Sequence, residues 1–160
     1  MARRTGNREQ INELLYQALE TEIGGIAVYT TAITCAVNDE LREEWQEYLE
    51  ETTRHREILL GVFAELGLDP EAHTPGRTVV AHIGKSLVKA MQLAKAEGDA
   101  NAAQLVAGEC VVQAETKDHM NWELIGHVAE HTTGPLAKVL KAAYEQVEKE
   151  EDHHLYHTTG

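Results

Sequence analysis

The chain has 160 residues, with 14 Lys plus Arg against 27 Asp plus Glu and a formal charge of −13. That balance disfavours nucleic acid or an anionic membrane as partner and suits a soluble protein tolerant of cations. Three prolines, one Phe and few β-branched runs argue against a β-rich fold, and the length fits one domain over residues 1–160.

Cys35 and Cys110 stand 75 positions apart with no CxxC pair, so neither a disulfide framework nor a four-cysteine metal centre is expected. Met1-Ala2-Arg3-Arg4 leads into polar sequence instead of an apolar signal core, and no run reaches the roughly 18 apolar residues of a membrane span. The expected setting is reducing and cytoplasmic.

The periodicity predicts a first helix from about Asn7 to Val37, where Ile11, Leu14, Leu15, Ala18, Leu19, Glu22, Ile26, Tyr29 and Ile33 recur at steps of three and four. Asn38-Asp39 reads as a turn with Asp39 as N-cap. A second helix then runs to about Leu66 with Leu41, Trp45, Tyr48, His55, Leu59 and Val62 on its inner stripe. Gly67-Leu68-Asp69-Pro70 ends it, and a loop through Pro75 and Gly76 follows.

A shorter helix, about Arg77 to Glu97, carries Val80, Ile83, Leu87, Val88 and Met91 as one stripe and lysines on its polar side. A long helix from about Asp99 to His131 comes next, and the last begins at Pro135, a favoured first position. Two tight hairpins joined by a long connection fit an all-α four-helix bundle whose crossover contains the short helix. A helix of about 20 residues spans roughly 30 Å, the length that such a crossover must cover.

Glu22, Glu51, His55, Glu115, Glu151 and His154 fall near the middles of the four long helices, among apolar neighbours. Buried carboxylates are costly unless paired, and several converging on one place require a cation. In the one-crossover topology Glu22 is 15 residues from Asn7, Glu51 is 15 from Leu66, Glu115 is 16 from His131, and Glu151 is 16 from Pro135. The four positions therefore share one layer of the bundle. Cys35 and Cys110 point away from their helices' ligand faces.

On these residues the chain resembles the ferritin-like di-iron family, in particular its bacterioferritin and rubrerythrin branches, over essentially its whole length. Leu19-x-x-Glu22 with Tyr29 seven residues on is similar to the family's first-helix motif, Glu115 to its third-helix acid, and Glu151-Asp152-His153-His154 to its fourth-helix Glu-x-x-His. The resemblance implies terminal carboxylates at Glu22 and Glu115, a bridging carboxylate at Glu151, and imidazole ligands at His55 and His154. Glu22, Tyr29 and Glu151 would then be the catalytic group, with Tyr29 bonded to a ligand carboxylate.

The second helix departs from that pattern, because Thr52 stands three residues before His55 and the acid is Glu51, four before. Three outcomes remain open: a π-bulge that restores Glu51 to register, a substitute ligand from Asp118 or His119, or a site holding one metal or none. An altered two-metal site is the favoured one. Thr53 stands where haem-binding members carry Met, so haem is not expected, and the missing CxxC pair removes the rubrerythrin electron-transfer centre.

Other acids and imidazoles have plainer readings. Glu150/His153 reads as the solvated neighbour of Glu151/His154, and His127/His131 as a surface pair near a helix end. Trp45, Tyr48, Trp122 and Tyr144 would fill any bundle core. The donor set suits two irons, or manganese, more than zinc. The expected activity is therefore oxidation of Fe(II), or reduction of O₂ or peroxide, in iron handling or oxidative stress. The rival expectation is a non-catalytic metal-binding or interaction bundle with a degenerate site. A homodimer is the expected assembly.

Overall fold

The computed structural model describes the backbone of residues 2–159 and the side chains of residues 8–150. Five helices account for nearly all of it: α1 (Ala2–Cys35), α2 (Asp39–Leu66), α3 (Pro75–Ala96), α4 (Ala100–Glu130) and α5 (Pro135–Thr159). No strand occurs among the described residues, and no helix among them is long and apolar enough to cross a membrane.

Local chemistry sets the boundaries. Asn38, not Asp39, is the N-cap of α2; its side chain accepts the Leu41 N–H at 3.0 Å, while Asp39 and Glu40 sit in the first turn against the positive end of the helix dipole. Gly67 ends α2 at φ 70°, a left-handed conformation open to glycine, and the Leu68 N–H closes back on the Phe63 carbonyl at 2.8 Å. Thr74 caps α3 ahead of Pro75, and Asp99 caps α4. The α1–α2 turn is pinned to α4 by Gln104, whose side-chain oxygen accepts the N–H groups of both Val37 and Asn38.

Helix adjacency defines the layout. α1 packs on α2, α4 and α3; α4 packs on α1, α3 and α5; α2 and α5 pack on each other. The four long helices thus form a closed square in the order α1–α2–α5–α4, and α3 lies outside it against the α1/α4 side. α3 approaches α1 where Gly84 meets Gly24, with neither side chain intervening. Its other anchor is buried Arg77, which donates to the Glu20 carboxylate and to the Pro70 and Ala72 carbonyls, bracing the α2–α3 loop on α1.

Two apolar clusters fill the square, the second extending under α3 through Met91. One holds Leu15, Leu19, Leu59, Phe63, Trp122, Ile125, Leu140 and Val147. The other holds Val28, Tyr29, Ala32, Trp45, Tyr48, Met91, Ala107 and Val111. Along α1, α2 and α4 the stretches between them are residues 19–28, 48–59 and 111–122. Buried Glu22, Glu51, Thr52 and His55 lie in those stretches, so the core is interrupted by one polar layer.

Candidate metal centre

The polar layer brings together Glu22 from α1, His55 from α2 and Asp118 from α4, each with a ligand atom within 4.8 Å of the others. Glu22 is fully buried and His55 nearly so. His55 Nδ1 lies 3.9 Å from Glu22 Oε1 and 3.9 Å from Asp118 Oδ2, beyond hydrogen-bond reach of both. Atoms bound at about 2.1 Å to one ion stand about 3–4 Å apart, so a small inward movement would let all three ligate.

His55 is oriented from behind. Its Nε2 lies 2.9 Å from Glu150 Oε2, and the other oxygen of Glu150 accepts Arg54 Nε–H at 3.0 Å. A carboxylate oxygen can only accept, so Nε2 carries a hydrogen and Nδ1 is the ring nitrogen turned to the layer, the atom whose lone pair a metal would take. That Nδ1 is buried without a hydrogen-bond partner, as is Asp118 Oδ1. Buried polar atoms are nearly always satisfied, and orphans on two facing ligand types mark a place for a third party.

Glu22 is held from the opposite side. The Trp122 indole N–H donates to Glu22 Oε1 at 2.9 Å. Beside it the Asn121 amide donates to the Thr21 hydroxyl at 2.9 Å, and Lys117 donates to the Asn121 carbonyl oxygen. Tyr29 lies against Tyr48, ring centres 5.9 Å apart. Burial first, then the charges of Glu115, Asp118 and Glu22, push the Tyr29 phenol well above its ordinary range. It stays protonated beside the acids.

The remaining sequence candidates take distinct places. α2 is α-helical throughout, so no π-bulge returns Glu51 to register. Glu51 is buried on the wall of the site, outside the group of three. Thr52 sets its methyl against Gly25, where an added Cβ would come within 3.2 Å, so it serves the α1–α2 contact. Glu115 is solvent-exposed on the same wall, and its charge acts on Tyr29 and Tyr48. His119 is exposed and faces Glu123 at 3.2 Å. Of the two substitutes for the ligand missing at Thr52, Asp118 joins the group. The side chains of Glu151 and His154 lie outside the described residues, although the α5 backbone continues as helix through both.

A cavity of about 420 Å³ adjoins the group, lined by Tyr29, Tyr48, Met120, Trp122 and Tyr144 together with Glu51, Glu115 and His119. Tyr144 reaches it beside Gly126, where any Cβ would meet the ring within 2.8 Å. Two residues that matter here were read otherwise from sequence. Glu150 is not merely a solvated neighbour, since it orients His55. Trp122 is more than core filling, and its signal was available: it lies four residues beyond Asp118, on the same helical face.

The chain is thus an all-helical protein with a buried Glu/His/Asp group that could hold a metal ion. In comparisons with known proteins no family model matches it, and neither does any curated protein or solved structure.

Proposed function

We propose that the protein binds a transition-metal ion through Glu22, His55 and Asp118, as one half of a ferritin-like two-metal site. The observation that carries this reading is the His55 ring, aimed by Glu150 so that a buried, unpartnered Nδ1 faces two carboxylates. Two carboxylates and one imidazole are hard-to-borderline donors, suited to iron or manganese. Three protein ligands leave coordination positions open, a feature of reactive metals more than structural ones.

The square of helices with an external crossover helix supports the ferritin-like reading, as does the polar layer drawn from α1, α2 and α4. In that frame Glu151 and His154 would complete a second position, with Glu115 and Glu51 at its edge. Bound iron would supply one-electron redox chemistry towards O₂ or peroxide. The chain's own residues would do the rest. Glu150 and Trp122 hold the ligands in place, the two apolar clusters exclude water, and the cavity admits a small oxidant. Tyr29 keeps a proton at its hydroxyl beside the site.

Calorimetric titration of metal-free protein with Mn(II) and, anaerobically, Fe(II) tests the binding. Two ions per chain and rapid ferrous oxidation on admitting air are expected. One ion and no oxidation would reduce the protein to a metal-binding bundle. No uptake at all, or uptake undisturbed by His55→Ala, would refute the site.

A further inference from the structure

The outer face of α3 and the seam between α2 and α5 have complementary surfaces that the monomer leaves uncovered. α3 is the one helix without an acidic residue, in a chain of net charge −13. Beyond the buried Arg77 it carries exposed Lys85, Lys89 and Lys95. It also exposes Val79, Ile83 and Leu93, each more than half accessible, and with Ser86 these fall at steps of four, three and seven. That spacing is an interhelical seam, on the side turned away from α1 and α4. A helix apolar on both sides is one built to be covered twice.

On the opposite side of the square, α2 and α5 leave a groove of about 380 Å³. Its floor is apolar, with Ile58, Val62 and Val139. Its α2 lip is open at Gly61, where an added Cβ would touch nothing within 4 Å, and is flanked by exposed Glu57 and Glu65. The α5 lip carries Lys138, so the lysines of an incoming helix are directed to the α2 side.

We infer that the α3 ridge of one copy seats in the α2/α5 groove of a second copy. Ridge and groove are different surfaces on opposite sides of the fold, so the contact is heterologous and propagates head to tail. Pairing α3 with α3 would instead set Lys85 and Lys89 against their own counterparts. An anionic lipid surface is disfavoured by the overall charge. Neither surface contains Glu22, His55 or Asp118.

Sedimentation velocity of the full chain over a wide concentration range tests it. The weight-average mass should climb past two chains without a plateau. Ile83→Glu breaks the ridge and Gly61→Arg blocks the groove; both positions are exposed, and circular dichroism confirms that the helices persist. Each variant should weaken association by about tenfold or more. Mixed in equal amounts they should form a two-chain species and stop, because each retains one intact half. Lys89→Glu provides a second ridge variant and should weaken association in the same direction. Mass that stays at one chain, a plateau at two chains, or a variant mixture that does not pair would overturn the inference. So would wild-type binding to phosphatidylserine vesicles that Ile83→Glu abolishes, which would make the ridge a lipid contact.

Discussion

His55 and Glu150 meet across α2 and α5 at 2.9 Å, and the far side of the same imidazole lies 3.9 Å from Glu22 and from Asp118. The ring therefore joins two environments. One is a hydrogen-bond chain from Arg54 through Glu150, and the other is a pair of carboxylates, Glu22 buried and Asp118 half-buried, with an unpartnered nitrogen facing both. Outer carboxylates of this kind fix the tautomer and increase the basicity of a ligating imidazole.

Removing that carboxylate should weaken metal binding without removing a ligand. Glu150→Ala is expected to lower Mn(II) affinity by roughly 10–100-fold, the range usual for such outer partners. Glu150→Gln, whose amide oxygen can still accept from Nε2, should lose less. Titration calorimetry on the two variants measures the difference, and equal affinities in all three proteins would deny Glu150 this role.

Metal should stabilise the fold through the same three side chains. An ion bound only by the native state contributes about 2.7 kcal/mol when present at a hundred times its dissociation constant. The melting temperature should rise with Mn(II) and fall back with chelator. Asp118→Asn and His55→Ala should abolish the rise. In metal-free protein Asp118→Asn should be neutral or stabilising, because it removes a half-buried charge, one oxygen of which is buried without a partner.

Much of this architecture was legible from helical periodicity. Four of the five helices fall within about two residues of their expected bounds, helped by Gly67, Gly98 and Pro135, whereas α1 begins at Ala2 instead of Asn7 and Pro75, read as loop, opens α3. The layer of Glu22, His55 and the α4 acid was legible for the same reason: charged residues on an apolar stripe must converge. Its exact membership was not. A single turn of α4 separates Glu115 from Asp118, and only the rotation of that helix turns Asp118 inward and leaves Glu115 in solvent. Glu150 was misread because it neighbours the expected ligand Glu151, and adjacent residues on a helix diverge by about 100°.

Alkaline pH should expose the burial of Tyr29. Its phenol is held above the ordinary value of about 10, so the native state retains a proton that the unfolded chain releases. The stability associated with that proton is intact below pH 10 and is lost as the pH rises above it. Urea midpoints should decline above about pH 10, and Tyr29→Phe should flatten the decline. Tyr48 is raised too, by burial and by its hydroxyl's bond to Glu44, so some slope should persist in the variant. An unchanged slope would show that Tyr29 does not contribute.

Trp122 offers a separation of charge support from packing. Trp122→Phe keeps most of the apolar volume but removes the indole donor to the fully buried Glu22 carboxylate. A hydrogen bond to a charged group contributes about 1.5–3 kcal/mol, so metal-free protein should lose roughly that much stability. Bound metal should restore part of it, because the ion neutralises the same carboxylate. A loss independent of metal would instead reflect the smaller ring, and the comparison of Mn(II)-loaded and chelated melts decides between them.

Arg77 should matter for α3 alone. Its guanidinium is buried and satisfied by Glu20, the Pro70 carbonyl and the Ala72 carbonyl, so Arg77→Ala strands one carboxylate and two carbonyls together. Breaking a buried pair from one side costs about 3–5 kcal/mol. Lysine cannot reproduce the forked geometry, so Arg77→Lys should recover only part of it. Because α3 lies outside the square of long helices, the damage should appear first as faster amide exchange and proteolysis in the α2–α3 loop and α3. Affinity for Mn(II) should change little, since Glu22, His55 and Asp118 all belong to helices of the square. If metal affinity fell in step with the loop's protection, the crossover would have to be counted as part of the site's scaffold.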